Sequence, residues 1–238
     1  MDLKTQAIRI QDLLGLKLPP IAISFQSAAP AGVQHVESSG PSGCSYWKLA
    51  AEGNTFYTEA GDHLNCTIGA YTHNVDLSPE KAKELESMVG EMVKLGYLRT
   101  EEVPQIPRRE GTFEVAVYAP LADAQSDPDV VIVRGDARQT MLLAEATKAA
   151  DVECDVLTMG RPTCAMIPAA MKSEHGVTSF GCIGNRVYTG LGNDEQYFTI
   201  PGRKVAAVVD QLETTVRANQ QLETFHRERA AAVGSSHN

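Results

Sequence analysis

The chain has 238 residues, 43% of them hydrophobic and 21% charged, with a formal net charge of −9. That length supplies one large core or two small ones, and the composition is that of a soluble globular protein. The acidic excess argues against nucleic acid and against an anionic membrane as partners, because both require a basic face; small anions stay within reach of a few local arginines.

Taken in chain order, residues 1–10 lack the apolar stretch of a signal peptide, and no run approaches the roughly 18 apolar residues of a membrane span. The expectation is a cytoplasmic protein. A reducing compartment disfavours disulfides, and the five cysteines are an odd count. Leu3, Ala7, Ile10 and Leu14 space an amphipathic helix over 3–15, ended by Pro19-Pro20. Ile21 to Phe25 reads as a strand and residues 26–43 as a long loop, a length that is often functional. Ser78-Pro79 opens a helix that runs through Leu85, Met88, Val89, Met92 and Val93 to Gly96. Strands are predicted at 113–118 and 130–134, the second apolar enough to be covered on both faces. A helix follows over 136–149, then short strands at 177–180, 186–189 and 197–200. A long helix from Gly202 to about Arg229 precedes a flexible tail at 232–238. The pattern is mixed α and β (α+β), a single globular domain over 1–231, with no glycine-rich dinucleotide turn and no phosphate loop.

Four cysteines fall in two similar segments, 44–70 and 164–190. Cys44 and Cys164 each open a helix-like stretch; Cys66 and Cys182 follow 22 and 18 positions later, each with a glycine close behind. This reads as an internal duplication that brings four thiolates around one site. Three features favour a metal or cluster. Gly43, Gly69, Gly181 and Gly184 free backbone N–H groups to point at sulfur. Arg161 and Arg186 offset the negative charge of a thiolate site. The segments are also rich in Gly, Pro, Asn and Thr, the composition of site-forming loops. Against this, no Cys-x-x-Cys occurs, so the usual zinc knuckle is missing. A single reactive cysteine and inert buried thiols are the competing readings. Cys154, in a charged stretch, is left outside the site.

Around the cysteines, His63 is either a ligand, a proton carrier at the site or a histidine that ties down a loop; Asp62 orients it or caps the loop. His73 is a weaker candidate. Arg186 grips a substrate carboxylate or pairs with Asp194 or Glu195 at the surface. Asn185 and Arg161 join it as substrate-binding candidates. Trp47 packs in the core or walls the pocket, and Lys48 reads as solvent-facing charge.

The chain resembles a prokaryotic family catalogued as domain of unknown function 169. The matching stretches are Gly43-Cys-Ser-Tyr-Trp-Lys-Leu-Ala-Ala-Glu-Gly53, Asp62-His-Leu-Asn-Cys-Thr-Ile-Gly-Ala70, Tyr118-Ala-Pro-Leu-Ala122, Asp127-Pro-Asp-Val-Val131, Gly160-Arg-Pro-Thr-Cys-Ala165 and Phe180-Gly-Cys-Ile-Gly-Asn-Arg-Val-Tyr-Thr189. The resemblance spans nearly the full length and implies one unit, but it selects no substrate.

The function expected from the residues is an iron–sulfur enzyme, a lyase or oxidoreductase with a 4Fe-4S cluster on Cys44, Cys66, Cys164 and Cys182. It would act on a small anionic organic molecule by elimination or hydration, removal of sulfur or halogen, or reduction, with His63, Asp62 and Arg186 as catalytic residues. Zinc, or no metal, is the alternative to the cluster. A metal- or redox-sensing module and a metal-free enzyme using Cys66 with His63 as base are the rival functions. A homo-oligomer is compatible with each.

Overall fold

Strands rich in Val, Ile, Ala and aromatic residues alternate with helices of mostly single-turn to four-turn length, and the chain resolves them into one sheet with helices on both sides. The computed structural model of the chain describes residues 1–37, 40–157 and 162–234. In order the elements are α1 (Leu3–Leu14), β1 (Ile21–Gln26), β2 (Gln34–His35), α2 (Ser45–Ala51), β3 (Phe56–Glu59), α3 (Thr67–Thr72), α4 (Pro79–Lys94) and β4 (Val115–Pro120). They continue as β5 (Val130–Asp136), α5 (Ala137–Ala149), β6 (Cys154–Val156), α6 (Met166–Ser173), β7 (Gly176–Ser179), α7 (Ile183–Thr189), β8 (Glu195–Pro201) and α8 (Val205–Gly234). Short 3-10 turns lie at 60–65, 100–105, 121–123, 163–165 and 202–204.

The eight strands form one mixed sheet in the order β2-β3-β4-β1-β5-β8-β7-β6. β1 and β5 pair antiparallel at its centre, Ile23 opposite Val130. Read inward from its own edge, each half places its second, third, fourth and first strand in that order. In each half the edge pair is parallel, β2 with β3 and β6 with β7, and the remaining pairs are antiparallel. Each fourth strand ends at a proline, Pro120 or Pro201, that leads into a 3-10 turn.

Alternation along the strands divides the core in two. Ala22, Val131, Val133, Phe198 and Ile200 pack against α1, α5 and α8, which contribute Ile10, Leu142, Leu143, Val208 and Leu212. Ile21, Ile23, Tyr118, Ile132, Val177 and Tyr197 face the other way, onto α2, α3 and α6 with Trp47, Ala70 and Met166. Burial on both faces explains why β5 reads as a nearly continuous apolar run.

Local signals set the element boundaries. Asp2 caps α1 by accepting the Thr5 N–H at 2.7 Å, and Gly15 ends the helix at φ +64°. Ser78 caps α4, with Pro79 at its first position. Asp136 and Gln139 form a reciprocal capping box on α5. One predicted element is corrected: residues 186–189 are helical, not extended. Cys182 at the N-cap and Gly190 at φ +66° enclose two turns there, and four residues carry too little period-two signal to oppose both caps. The predicted tail overlaps α8, which continues to Gly234; positions 235–238 lie outside the described residues. No helix among the described residues is long and apolar enough to cross a membrane.

Candidate metal centre

All four predicted cysteines line a single cavity of about 810 Å³ on the α2/α3/α6/α7 side of the sheet. Each sits at the start of a helical element, and the elements of the two halves are interleaved: α2 packs on α7, and α3 on the 163–165 turn. The start of the chain's first cysteine helix therefore meets the last, and the two middle cysteine elements meet each other.

Cys66 and Cys182 occupy equivalent local geometry. Each is the N-cap of its helix, and its Sγ accepts the N–H three residues on, from Gly69 and Asn185 respectively, both at 3.4 Å. Gly69 eases this approach, since a Cβ there would lie 3.3 Å from the Cys66 sulfur, tighter than most such contacts. Gly181 is needed for the turn that delivers Cys182: its φ is +78°, and a Cβ would meet Leu191 Cδ2 at 2.5 Å. The Cys182 N–H donates to Thr163 Oγ1 at 2.6 Å, tying this turn to the residue before Cys164. The Cys44 N–H donates to Ser42 Oγ at 3.2 Å.

Cys44 and Cys164 are buried. Burial pushes the Cys44 thiol up to about 12, with the nearby Cys182 and Cys66 raising it further. Burial likewise holds Cys164 well above the ordinary range, with Cys44, Cys66 and Cys182 adding to the effect. Both are neutral thiols at pH 7, and each lies within electrostatic reach of the other members of the set. A cation would reverse this balance, because a metal replaces the thiol proton. No group of three His, Cys, Asp or Glu side chains among the described residues is arranged to hold a metal ion as it stands.

Asn185 lines the same cavity at 1% exposure. Neither polar atom of its amide has a partner of good hydrogen-bond geometry, although it is close enough to offset part of the rise that burial causes in the Cys44 thiol and the Tyr197 hydroxyl. A buried amide with spare donors near the Cys44 sulfur suits sulfur-directed hydrogen bonding. By donor type, therefore, the site fits a thiolate-bound metal or cluster.

Other predicted site residues are placed elsewhere. The His63 ring is buried, with Nε2 2.9 Å from Thr58 Oγ1, and packs among Tyr46, His73, Phe113 and Tyr118. Burial lowers its pKa to about 3, so it is a neutral core histidine and does not line the cavity. Asp62 accepts the Glu59 N–H at 2.6 Å and contacts His35 Nε2 at 2.8 Å, which makes it a loop cap. The Arg186 guanidinium donates to the carbonyls of Gly192, Phe180 and Glu195. It holds the 180–195 loop together, which differs from both the substrate grip and the surface ion pair read from the sequence. Trp47 is buried against Tyr197, edge to face at 5.6 Å, and lines a separate small cavity with Lys48 and Arg134. Lys48 is half-exposed, 3.8 Å from Glu52. Arg161 lies outside the described residues. Cys154 is on β6 and packs with the opposite core, consistent with its exclusion.

The wall that faces the cysteines is built by residues that periodicity assigns to a core. Leu85, Met88, Val89 and Met92 of α4 line the cavity, and no residue of α4 is buried. An amphipathic pattern reports an apolar face but not whether protein or empty space lies opposite it.

The fold and site thus define a mixed α/β protein with a four-cysteine cavity on one face of its sheet. The model of the family described as uncharacterised ArCR, domain of unknown function 169, matches residues 9–211, and the chain belongs to that family. An uncharacterized protein of Methanocaldococcus jannaschii is 25% identical over 225 residues, covering 89% of this chain and 94% of that protein. No solved structure matches the chain.

Proposed function

We propose that Cys44, Cys66, Cys164 and Cys182 bind one thiolate-held metal centre, an iron–sulfur cluster in the first instance, and that the protein is an enzyme acting on a small organic molecule in the adjoining cavity. The observation that carries this reading is the convergence on one cavity of four cysteines that are up to 138 positions apart in sequence. Inert thiols have no need to share a cavity wall. The matching strand order and the matching N-cap geometry of Cys66 and Cys182 support the further proposal that the two halves arose by duplication around this centre.

A cluster held by three cysteines supplies an open iron as Lewis acid, and one held by all four supplies single-electron transfer. The chain's own contribution is positional. The N–H groups of Gly69 and Asn185 already point at sulfur, and the Asn185 amide adds donors from within the wall. Such donors stabilise negative charge on sulfur and tune a bound centre. Cys44 and Cys164 are buried, where low polarity strengthens such dipoles, and Cys66 and Cys182 are partly exposed. The metal-free alternative draws less support, because His63 is engaged with Thr58 and forms no side-chain hydrogen bond with Cys66.

Iron, zinc and acid-labile sulfide analysis of anaerobically purified protein tests the proposal. Brown protein with iron and sulfide in near-equal amounts is expected. Zinc without sulfide would assign a sensing or structural site, and protein with neither metal would remove the reading.

A further inference from the structure

Resting on the reading of this cavity as a reaction site, we propose that its organic ligand is uncharged and predominantly apolar, clasped between the cysteines and α4. Three observations lead there. First, the lining is dominated by Leu, Met, Val, Ile, Pro and Tyr side chains, and among the described residues Glu86 is its one charged group. A carboxylate or phosphate entering this space would lose its water, meet no described cation and face Glu86. Second, Arg186, the cation nearest in sequence to Cys182, is committed to three backbone carbonyls. Third, the wall is present in one half only. The first half carries α4 and the 100–105 turn between α3 and β4, whereas the second passes from α7 to β8 through residues 190–194.

That helix packs on α3 but has no buried residue, and its apolar residues Leu85, Val89 and Met92 face the cavity. A ligand that fills the cavity gives the face a partner. The volume, about 810 Å³, lies within the roughly 300–1,000 Å³ usual for small-molecule sites. Met88 and Met92 have flexible, polarizable side chains that adapt to a ligand's outline.

The test titrates anaerobically purified protein with Nile red, an uncharged fluorescent probe, and competes it with naphthalene and with 2-naphthoate at pH 7, measuring iron and sulfide in the same samples. Naphthalene is expected to displace the probe at least about tenfold more effectively than naphthoate, given the cost of burying an unpaired charge. Val89→Asp and Met92→Asp, at positions outside any packed core, are expected to weaken probe binding at least about tenfold while circular dichroism and iron content hold. Either competitor order reversed, or probe binding unchanged in both variants, overturns the inference. Naphthoate binding that is lost in Arg161→Ala would overturn it by assigning an anionic ligand to that arginine. Absence of probe binding in a dimer that covers the cavity would overturn it in favour of a second copy of the chain as occupant. Competition as expected in protein without iron leaves the ligand inference standing and removes the cluster alone; iron and sulfide with no apolar binding does the reverse.

Discussion

At the scale of single residues, position separates the cysteines into four that line the cavity and one that does not. Cys154 packs on the opposite side of the sheet, and burial raises its thiol to about 11. Serine at Cys44, Cys66, Cys164 or Cys182 is expected to lower bound iron by more than half, whereas Cys154→Ser leaves the iron content unchanged; metal analysis of the five variants decides this. His63 and His73 carry a different consequence. Burial lowers them to about 3 and about 4, and both are neutral in the folded protein at ordinary pH. As pH drops from 6.5, the unfolded chain takes up protons that the folded chain refuses, so stability falls through that window and is insensitive to these groups above it. Urea unfolding midpoints are expected to decline from pH 7 to pH 5, with a shallower decline in His73→Gln. The role in proton transfer assigned to His63 from the sequence has no geometric support, because burial and Thr58 claim the ring. Nothing in the residue types around it distinguishes a core histidine from a catalytic one.

Individual elements show how far periodicity reaches. α1, α4, α5 and α8 are legible from apolar spacing and their boundary signals, and β1, β4, β5 and β8 from β-branched runs. β2, β3, β6 and α3, two to six residues long, carry no clear period or boundary signal of their own. α7 was legible only as a strand, since its helical state is set by caps at both ends. The turn before it is exacting. Gly181→Ala is expected to destabilise the protein by about 1–3 kcal/mol, measured by chemical unfolding, because φ +78° and the approach of Leu191 both resist a Cβ. On the opposite face Leu143→Ala is expected to cost about 2–5 kcal/mol through a cavity between α5 and the sheet. α4, with nothing buried, is expected to tolerate polar substitution without such a loss.

Across the whole molecule, the antiparallel pairing of β1 with β5 joins the halves inside one sheet, and α5 packs on α8 and α1 on α8 across its back. Residues of both halves, Ile10 and Ala22 with Val131 and Leu212, belong to one core cluster on that side. Thermal or denaturant unfolding is therefore expected to be a single transition, with far-UV circular dichroism and Trp47 fluorescence coincident; two separated transitions would show independently stable halves. The α/β alternation and the similarity of the two cysteine segments were readable from the amino-acid order alone, because these are properties of spacing and residue type. Folding in three dimensions brought the four to one cavity, set α4 against space instead of core, and gave Arg186, Asp62 and the Nε2 atom of His63 their hydrogen-bond partners within the protein. Those outcomes depend on which distant backbone groups and side chains reach a given atom first, and that competition is settled by the packing of the sheet and not by any local pattern.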